Sequence, residues 1–158
     1  MYRFRVYADT SVFGGACDSE FRAASHTFFR LVNRGDYVVL ISDETLRELA
    51  DAPDSVREVY EGLSEKQLER VVITTEVLAL ARAYVDAGVV SERSSTDAMH
   101  VAAATAAAAD LILSWNFRHI VNFNRIRGYN EVNIARGYRH MTILSPLEIG
   151  DDDEKEDL

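Results

Sequence analysis

Apolar and polar positions along the chain alternate between two periods, and the switches between them define the elements. RFRVYA, rich in aromatic and β-branched residues, predicts a strand over 3–8 that ends at Asp9. Phe21, Ala24, Phe28 and Leu31 recur at helical spacing, so a helix is predicted over about 19–34 with Gly35 as its stop. YVVLIS (37–42) is nearly continuously apolar, the pattern of a strand buried on both faces. Ser42 or Asp43 caps a helix through TLRELA to Asp51, and Pro53 and Asp54 open a shorter one, DSVREVYEGL. Ser64 and Gln67 have capping-box spacing ahead of QLERV, whereas VVIT (71–74) is too short to assign.

TEVLALARAYVDAG sets Val77, Leu80, Ala81, Tyr84 and Val85 on one stripe that ends at Gly88. Ser94–Thr96 then start an alanine-rich helix, DAMHVAAATAAAA, of strongly helical composition. LILSW (111–115) is a second buried strand, an Arg/Asn-rich stretch carries no clear period, and MTIL (141–144) is the last strand. Strands alternating with helices predict an α/β fold, a three-layer α/β/α arrangement on a Rossmann-like parallel sheet. The domain is expected over 1–149, with residues 150–158 as a solvated, disordered acidic tail.

Composition narrows the class. The 158 residues are 47% hydrophobic and 27% charged, ordinary for one globular domain. No apolar run approaches a membrane span, and the opening MYRFRVYAD lacks a signal-peptide core. The single cysteine, Cys17, excludes an internal disulfide and a multi-cysteine zinc site. A cytoplasmic protein with no membrane partner is therefore expected. The net charge of −9 disfavours a general nucleic-acid coat, but the charge is uneven. Residues 115–140 carry five arginines against the one acid Glu131, while residues 150–158 hold six acids and one lysine. An acidic body with one basic segment still presents a local site for a polyanion.

The predicted sheet places polar groups at particular ends. Asp9 falls at the carboxyl end of the first strand and Asn116 just past that of LILSW; Asp97 lies in the first turn of the alanine helix, and Glu48 on the helix after YVVLIS. The crevice outside the carboxyl ends of the strands is where open α/β sheets bind ligands. Three carboxylates and one amide oxygen there make a hard, all-oxygen site suited to Mg²⁺ or Mn²⁺. Taken singly, each residue has a plainer use. Asp97 suits the positive end of its helix dipole, Glu48 suits a solvated helix face, and Asp9, Asp43 and Asp110 suit turns or helix ends. Gly14–Gly15 is followed by no Gly-Lys-Ser, so a P-loop is absent, and a DxD phosphotransferase signature fails at Ser11. His100, one helical turn past Asp97, suits either a hydrogen bond to a ligand carboxylate or a satisfied core position. His26 reads as a helix-surface residue, and His119 and His140 fall in the basic segment without a nameable partner.

DTSVF after the first strand, TLREL after the second, TDAMHVAAAT, and ADLILSWN together resemble the PIN-domain nucleases, which include the toxins of many toxin–antitoxin pairs and their orphan relatives. The resemblance reaches to about Ile149 and rests on the order and spacing of short motifs. It implies Mg²⁺- or Mn²⁺-dependent hydrolysis of RNA, an endoribonuclease. It places the acidic positions, as metal ligands, on Asp9, Glu48 and Asp97, and a polar residue that arranges the site on Ser11. The fourth position, often aspartate in the family, is Asn116 here, which removes one negative charge. An antitoxin protein and a second copy of the chain are the candidate protein partners.

In WNFRHIVNFNRIRGYNEVNIARGYRH, Arg118, Arg125 and Arg127 suit the phosphates of single-stranded RNA, while Phe117, Phe123, Tyr129 and Tyr138 suit its bases. The same residues suit a core lined by aromatics under a solvated arginine surface. Beside the ribonuclease stand two alternatives: a catalytically weakened RNA- or protein-binding module, and a metal-dependent phosphatase on a related sheet, which the basic, aromatic segment disfavours.

Overall fold

Five strands form one parallel sheet in the computed structural model, which describes residues 2–150. Met1 and the acidic segment from residue 151 lie outside the described residues, so the expected disordered tail does too. In chain order the strands are β1 (Phe4–Ala8), β2 (Tyr37–Ser42), β3 (Leu68–Val71), β4 (Leu111–Leu113) and β5 (Ile143–Leu144). The helices are α1 (Thr10–Gly15), α2 (Arg22–Arg34), α3 (Asp43–Ala50), α4 (Asp54–Glu61), α5 (Thr75–Asp86), α6 (Ser95–Ala106) and α7 (Phe123–Ala135).

Side-chain alternation in β1 builds the layers. Val6 and Ala8 pack with Val39, Ile41 and Leu113 under α1–α4, while Tyr7 packs with Leu40 and Ile112 under α5, α6 and α7. Both faces of the central strands are thereby buried, which is why they read as continuous apolar runs. The expected three-layer α/β/α arrangement is the one observed.

The strand order is β3-β2-β1-β4-β5, with Val6 beside Val39 on one side and Leu111 on the other. The chain thus winds outward from β1 in one direction and then in the other. This reversal puts the topological switch point, where open parallel sheets bind ligands, at the carboxyl ends of β1 and β4.

Three local outcomes differ from the sequence pattern. The Ser64–Gln67 capping box forms, but it closes only a single 3₁₀ turn, and the chain leaves it directly as the edge strand β3. A short helix, α1, follows Asp9 at once, where the sequence showed only a glycine pair. The Arg/Asn-rich stretch contains the 13-residue α7, capped by Asn122, whose side chain accepts from the Asn124 and Arg125 amides. Among the described residues, no helix is long and apolar enough to cross a membrane.

Candidate active site

Asp9 is the residue at which β1 ends and α1 begins, and it is buried, with 5% of its surface exposed. Its two carboxylate oxygens are held from two sides: Oδ1 accepts from Ser11 Oγ at 2.5 Å and Oδ2 from Ser114 Oγ at 2.7 Å. Both hydroxyls are aimed by backbone at the end of β4. Trp115 N–H donates to Ser11 Oγ at 2.8 Å, and Asn116 N–H donates to Ser114 Oγ at 2.9 Å. With those lone pairs taken, each hydroxyl proton turns to the carboxylate. Ser114 was not singled out in the sequence; its only signal is a small polar residue closing a strand buried on both faces.

Glu48 sits on α3. Its Oε1 accepts from Thr10 Oγ1 at 3.0 Å and pairs with His100 Nε2 at 2.5 Å. The other ring nitrogen of His100 lies 2.7 Å from the Tyr7 hydroxyl, which lies 2.7 Å from Ser42 Oγ. A buried polar chain therefore runs from β2 through β1 and α6 to Glu48. Of the two sequence readings of His100, both hold: it is 2% exposed, and it bonds a candidate ligand carboxylate, Glu48.

Asp97 lies in the first turn of α6, half-buried, and Asn116 Nδ2 donates to its Oδ1 at 3.0 Å. The amide oxygen of Asn116 is committed elsewhere. It accepts from the Arg118 and His119 backbone amides at 3.2 and 2.9 Å, tying the turn after β4. Asn116 thus presents a donor, not an oxygen, toward the acids, and in this arrangement it braces Asp97 rather than ligating a cation.

Burial and charge set the protonation tendencies. Burial pushes Asp9 above the ordinary carboxylate range, against the pull of His100 and the two serine hydroxyls. Burial likewise raises Asp97, against His119, His100 and the Asn116 amide. For Glu48 burial is outweighed by His100, Thr10 and Arg47, and its carboxyl is held below its usual value. Burial opposes charge on His100 too, but Tyr7, Glu48 and Asp9 together push it up to about 10. Glu48 also bears electrostatically on both Asp9 and Asp97, raising each.

As the side chains stand, no group of three or more His, Cys, Asp or Glu among the described residues is gathered closely enough to hold a metal ion. The donor chemistry nevertheless fits Mg²⁺ or Mn²⁺. All three residues offer carboxylate oxygens, and such cations are bound by one or two carboxylates with water completing the shell. Burial disfavours the ionised form of Asp9, and a divalent cation beside it would offset that cost.

The arginines divide. Arg125 donates to the Val89 carbonyl at 2.7 Å and Arg127 to Glu131 at 3.2 Å, so both serve the fold and its surface. Arg118 is exposed, and its guanidinium makes no hydrogen bond or ion pair among the described residues. His119 Nδ1 is buried without a hydrogen-bond partner among the described residues.

A family model described as PIN domain matches residues 5–118, a span that contains Asp9, Ser11, Glu48, Asp97 and Asn116. Among solved structures, a chain of the crystal structure of VapBC2 from Rickettsia felis, bound to a DNA fragment from their promoter, superposes with a TM-score of 0.55. The two are 11% identical, and the match covers 90% of this chain and 98% of that one, a likeness of fold. A search of curated proteins found no match.

Proposed function

Because the chain belongs to the PIN-domain family, whose members are generally nucleases that use divalent metal ions, we propose that it is an endoribonuclease dependent on Mg²⁺ or Mn²⁺, hydrolysing single-stranded RNA. The observation that carries this reading is Asp9: a buried carboxylate at the switch point of the sheet, gripped by Ser11 and Ser114, with Glu48 bearing electrostatically on it and, separately, on Asp97.

Asp9, Glu48 and Asp97 are the residues that would hold the cation. When bound, it supplies charge stabilisation at the phosphoryl oxygens and acidifies water for attack on phosphorus. The chain's own groups do the rest. Ser11 and Ser114 fix the plane of Asp9, His100 and Thr10 fix Glu48, and Asn116 fixes Asp97. Arg118 is the proposed phosphate contact of the basic segment; Arg125 and Arg127 contribute field but have side chains already engaged.

The weakened binding module is the second reading, and the orientation of the Asn116 amide favours it, since position 116 turns a donor, not an anion, toward Asp97. An antitoxin-like protein partner belongs to this proposal; the fold likeness to a chain of the structure described as VapBC2 is in line with it. The test is cleavage of a labelled single-stranded RNA by the wild type and Asp9→Asn, with Mn²⁺ and with EDTA. Cleavage only by the wild type with Mn²⁺ is expected; cleavage by Asp9→Asn, or in EDTA, overturns the assignment.

A further inference from the structure

We propose that the turn following β4 carries a stacking site for one nucleobase of a single-stranded nucleic acid, with the ring of Phe117 as its face. The proposal rests on the nuclease reading above and names how the strand is held. A single exposed apolar residue ordinarily needs no explanation. Phe117 differs because it is both exposed and held. It is 45% exposed, yet its ring meets that of Trp115 edge to face, with centroids 6.0 Å apart and planes at 69°. Trp115 is 7% exposed, stacks on Phe21 with centroids 4.2 Å apart, and anchors its Nε1 on Ser25 Oγ at 2.9 Å. Two aromatic rings and a hydrogen bond to α2 thus fix the orientation of the exposed one.

The position of Phe117 in the chain gives the site its meaning. Asn116, the residue before it, bonds Asp97, and Arg118, the residue after it, is the arginine of the proposed RNA contacts whose guanidinium has no partner among the described residues. Phe117 is therefore flanked in the chain by a residue that bonds a candidate cation ligand and by an arginine available to a phosphate. The other aromatics of the basic segment lack this combination. Tyr129 is fully buried, and Tyr138 donates to Glu76 at 2.6 Å. Phe123, 78% exposed, has no ring contact among the described residues. A ring already held in place loses little freedom on binding, so most of the stacking energy appears as affinity.

The test uses the full chain in EDTA, to prevent cleavage, with a fluorescent single-stranded 2′-O-methyl RNA and a matched strand of abasic nucleotides. Phe117→Ala and Phe117→Leu are expected to bind the base-bearing strand roughly tenfold more weakly than the wild type, and Phe117→Tyr nearly as well. All four are expected to bind the abasic strand alike. Trp115, the single tryptophan, reports independently: its emission should change on adding the base-bearing strand to the wild type and not to Phe117→Ala. Wild-type affinity in Phe117→Leu overturns the proposal, because apolar bulk without a π-face then suffices, as on a protein-docking surface. Equal losses on both strands also overturn it. Unaffected variants on a strand the wild type does bind remove the stacking site alone; a wild type that binds neither strand removes it together with the RNA reading.

Discussion

His100 Nε2 lies 2.5 Å from Glu48 Oε1, joining the buried side of α6 to the carboxylate that α3 contributes to the site. The far nitrogen of the same ring rests on Tyr7, whose hydroxyl is fixed in turn by Ser42. Glu48 is consequently oriented by a chain of polar groups that no solvent reaches. His100 is a positioning residue in this arrangement, acting through Glu48. His100→Gln should weaken Mn²⁺ binding by roughly 10- to 100-fold, the usual effect of removing the partner of a metal ligand. Calorimetric titration of Mn²⁺ into wild type and variant measures it, and an unchanged affinity would detach Glu48 from the cation.

The same histidine makes a pH prediction for the metal-free protein. Its proton is bound more tightly in the folded state, with a value pushed up to about 10, than in the unfolded chain, where histidine titrates near 6.5. Between these values the folded state holds more protons, so stability falls as pH rises. The contribution is complete below about pH 6.5 and lost by about pH 10. Thermal melts in EDTA across this window should decline more steeply for the wild type than for His100→Gln. Parallel curves would show that His100 is neutral in the folded protein.

At neutral pH the charge on Asp9 costs stability where that on His100 adds it, although both values are raised and both contributions fall as pH rises. Burial raises its carboxyl, so the ionised form is disfavoured in the metal-free fold at neutral pH. Asp9→Asn removes that charge and keeps an acceptor for one serine. At pH 7 in EDTA its unfolding midpoint should equal or exceed that of the wild type, while cleavage is lost. A large drop in the midpoint would assign Asp9 a structural role as a strand-end cap.

Gly15 packs where a side chain cannot. A Cβ there would stand 2.5 Å from Trp115 Nε1 and 2.6 Å from Ser25 Oγ. Gly15→Ala gains about 1 kcal/mol of helix propensity in α1, but overpacking of this kind typically costs about 1–3 kcal/mol. Net destabilisation should appear as a lower melting temperature, with altered Trp115 emission as the local signature.

The same contacts explain what the sequence revealed and what it hid. Strands β1, β2 and β4 announced themselves because both faces of a central parallel strand are apolar. Helix α7 did not, because its buried face is partly amide. Asn133 accepts from Tyr84 Oη at 2.5 Å, and Asn130 pairs with both backbone groups of Met141. Hydrophobic periodicity cannot register a face built from satisfied polar groups. Asp9 and Asp97 stood out as candidates because a strand end and a first helical turn place them, and Glu48 through the motif TLREL on the helix after β2. Ser114 and Thr10 were not, since a hydroxyl becomes significant only when the fold turns it onto a carboxylate. The three arginines were indistinguishable in sequence; only the fold engages Arg125 and Arg127 and leaves Arg118 available.

Asn116 is where the chain departs from the acidic pattern it resembles, and its geometry decides what restoring that acid does. One end of its amide accepts the Arg118 and His119 N–H groups; the other donates to Asp97 Oδ1 at 3.0 Å. In Asn116→Asp one carboxylate oxygen keeps the backbone bonds, because no donor change is needed there. The other oxygen replaces a donor with an anion facing Asp97, whose carboxyl is already raised by burial and by Glu48. Two like charges at hydrogen-bond distance resist joint ionisation. Without metal the variant should therefore melt below the wild type at pH 7 and recover as pH falls through the carboxylate range. A divalent cation between the two acids removes the repulsion, so Mn²⁺ should bind Asn116→Asp more tightly and raise its melting temperature by more than it raises that of the wild type. Asn116→Ala should lose both the turn and the brace on Asp97, with lower stability and no gain in affinity. Melts with EDTA and with Mn²⁺, alongside calorimetric titration, measure all three proteins. If Asn116→Asp melts like the wild type in EDTA and takes up Mn²⁺ with unchanged affinity, position 116 lies outside the electrostatics of the site, and its amide serves only the turn after β4.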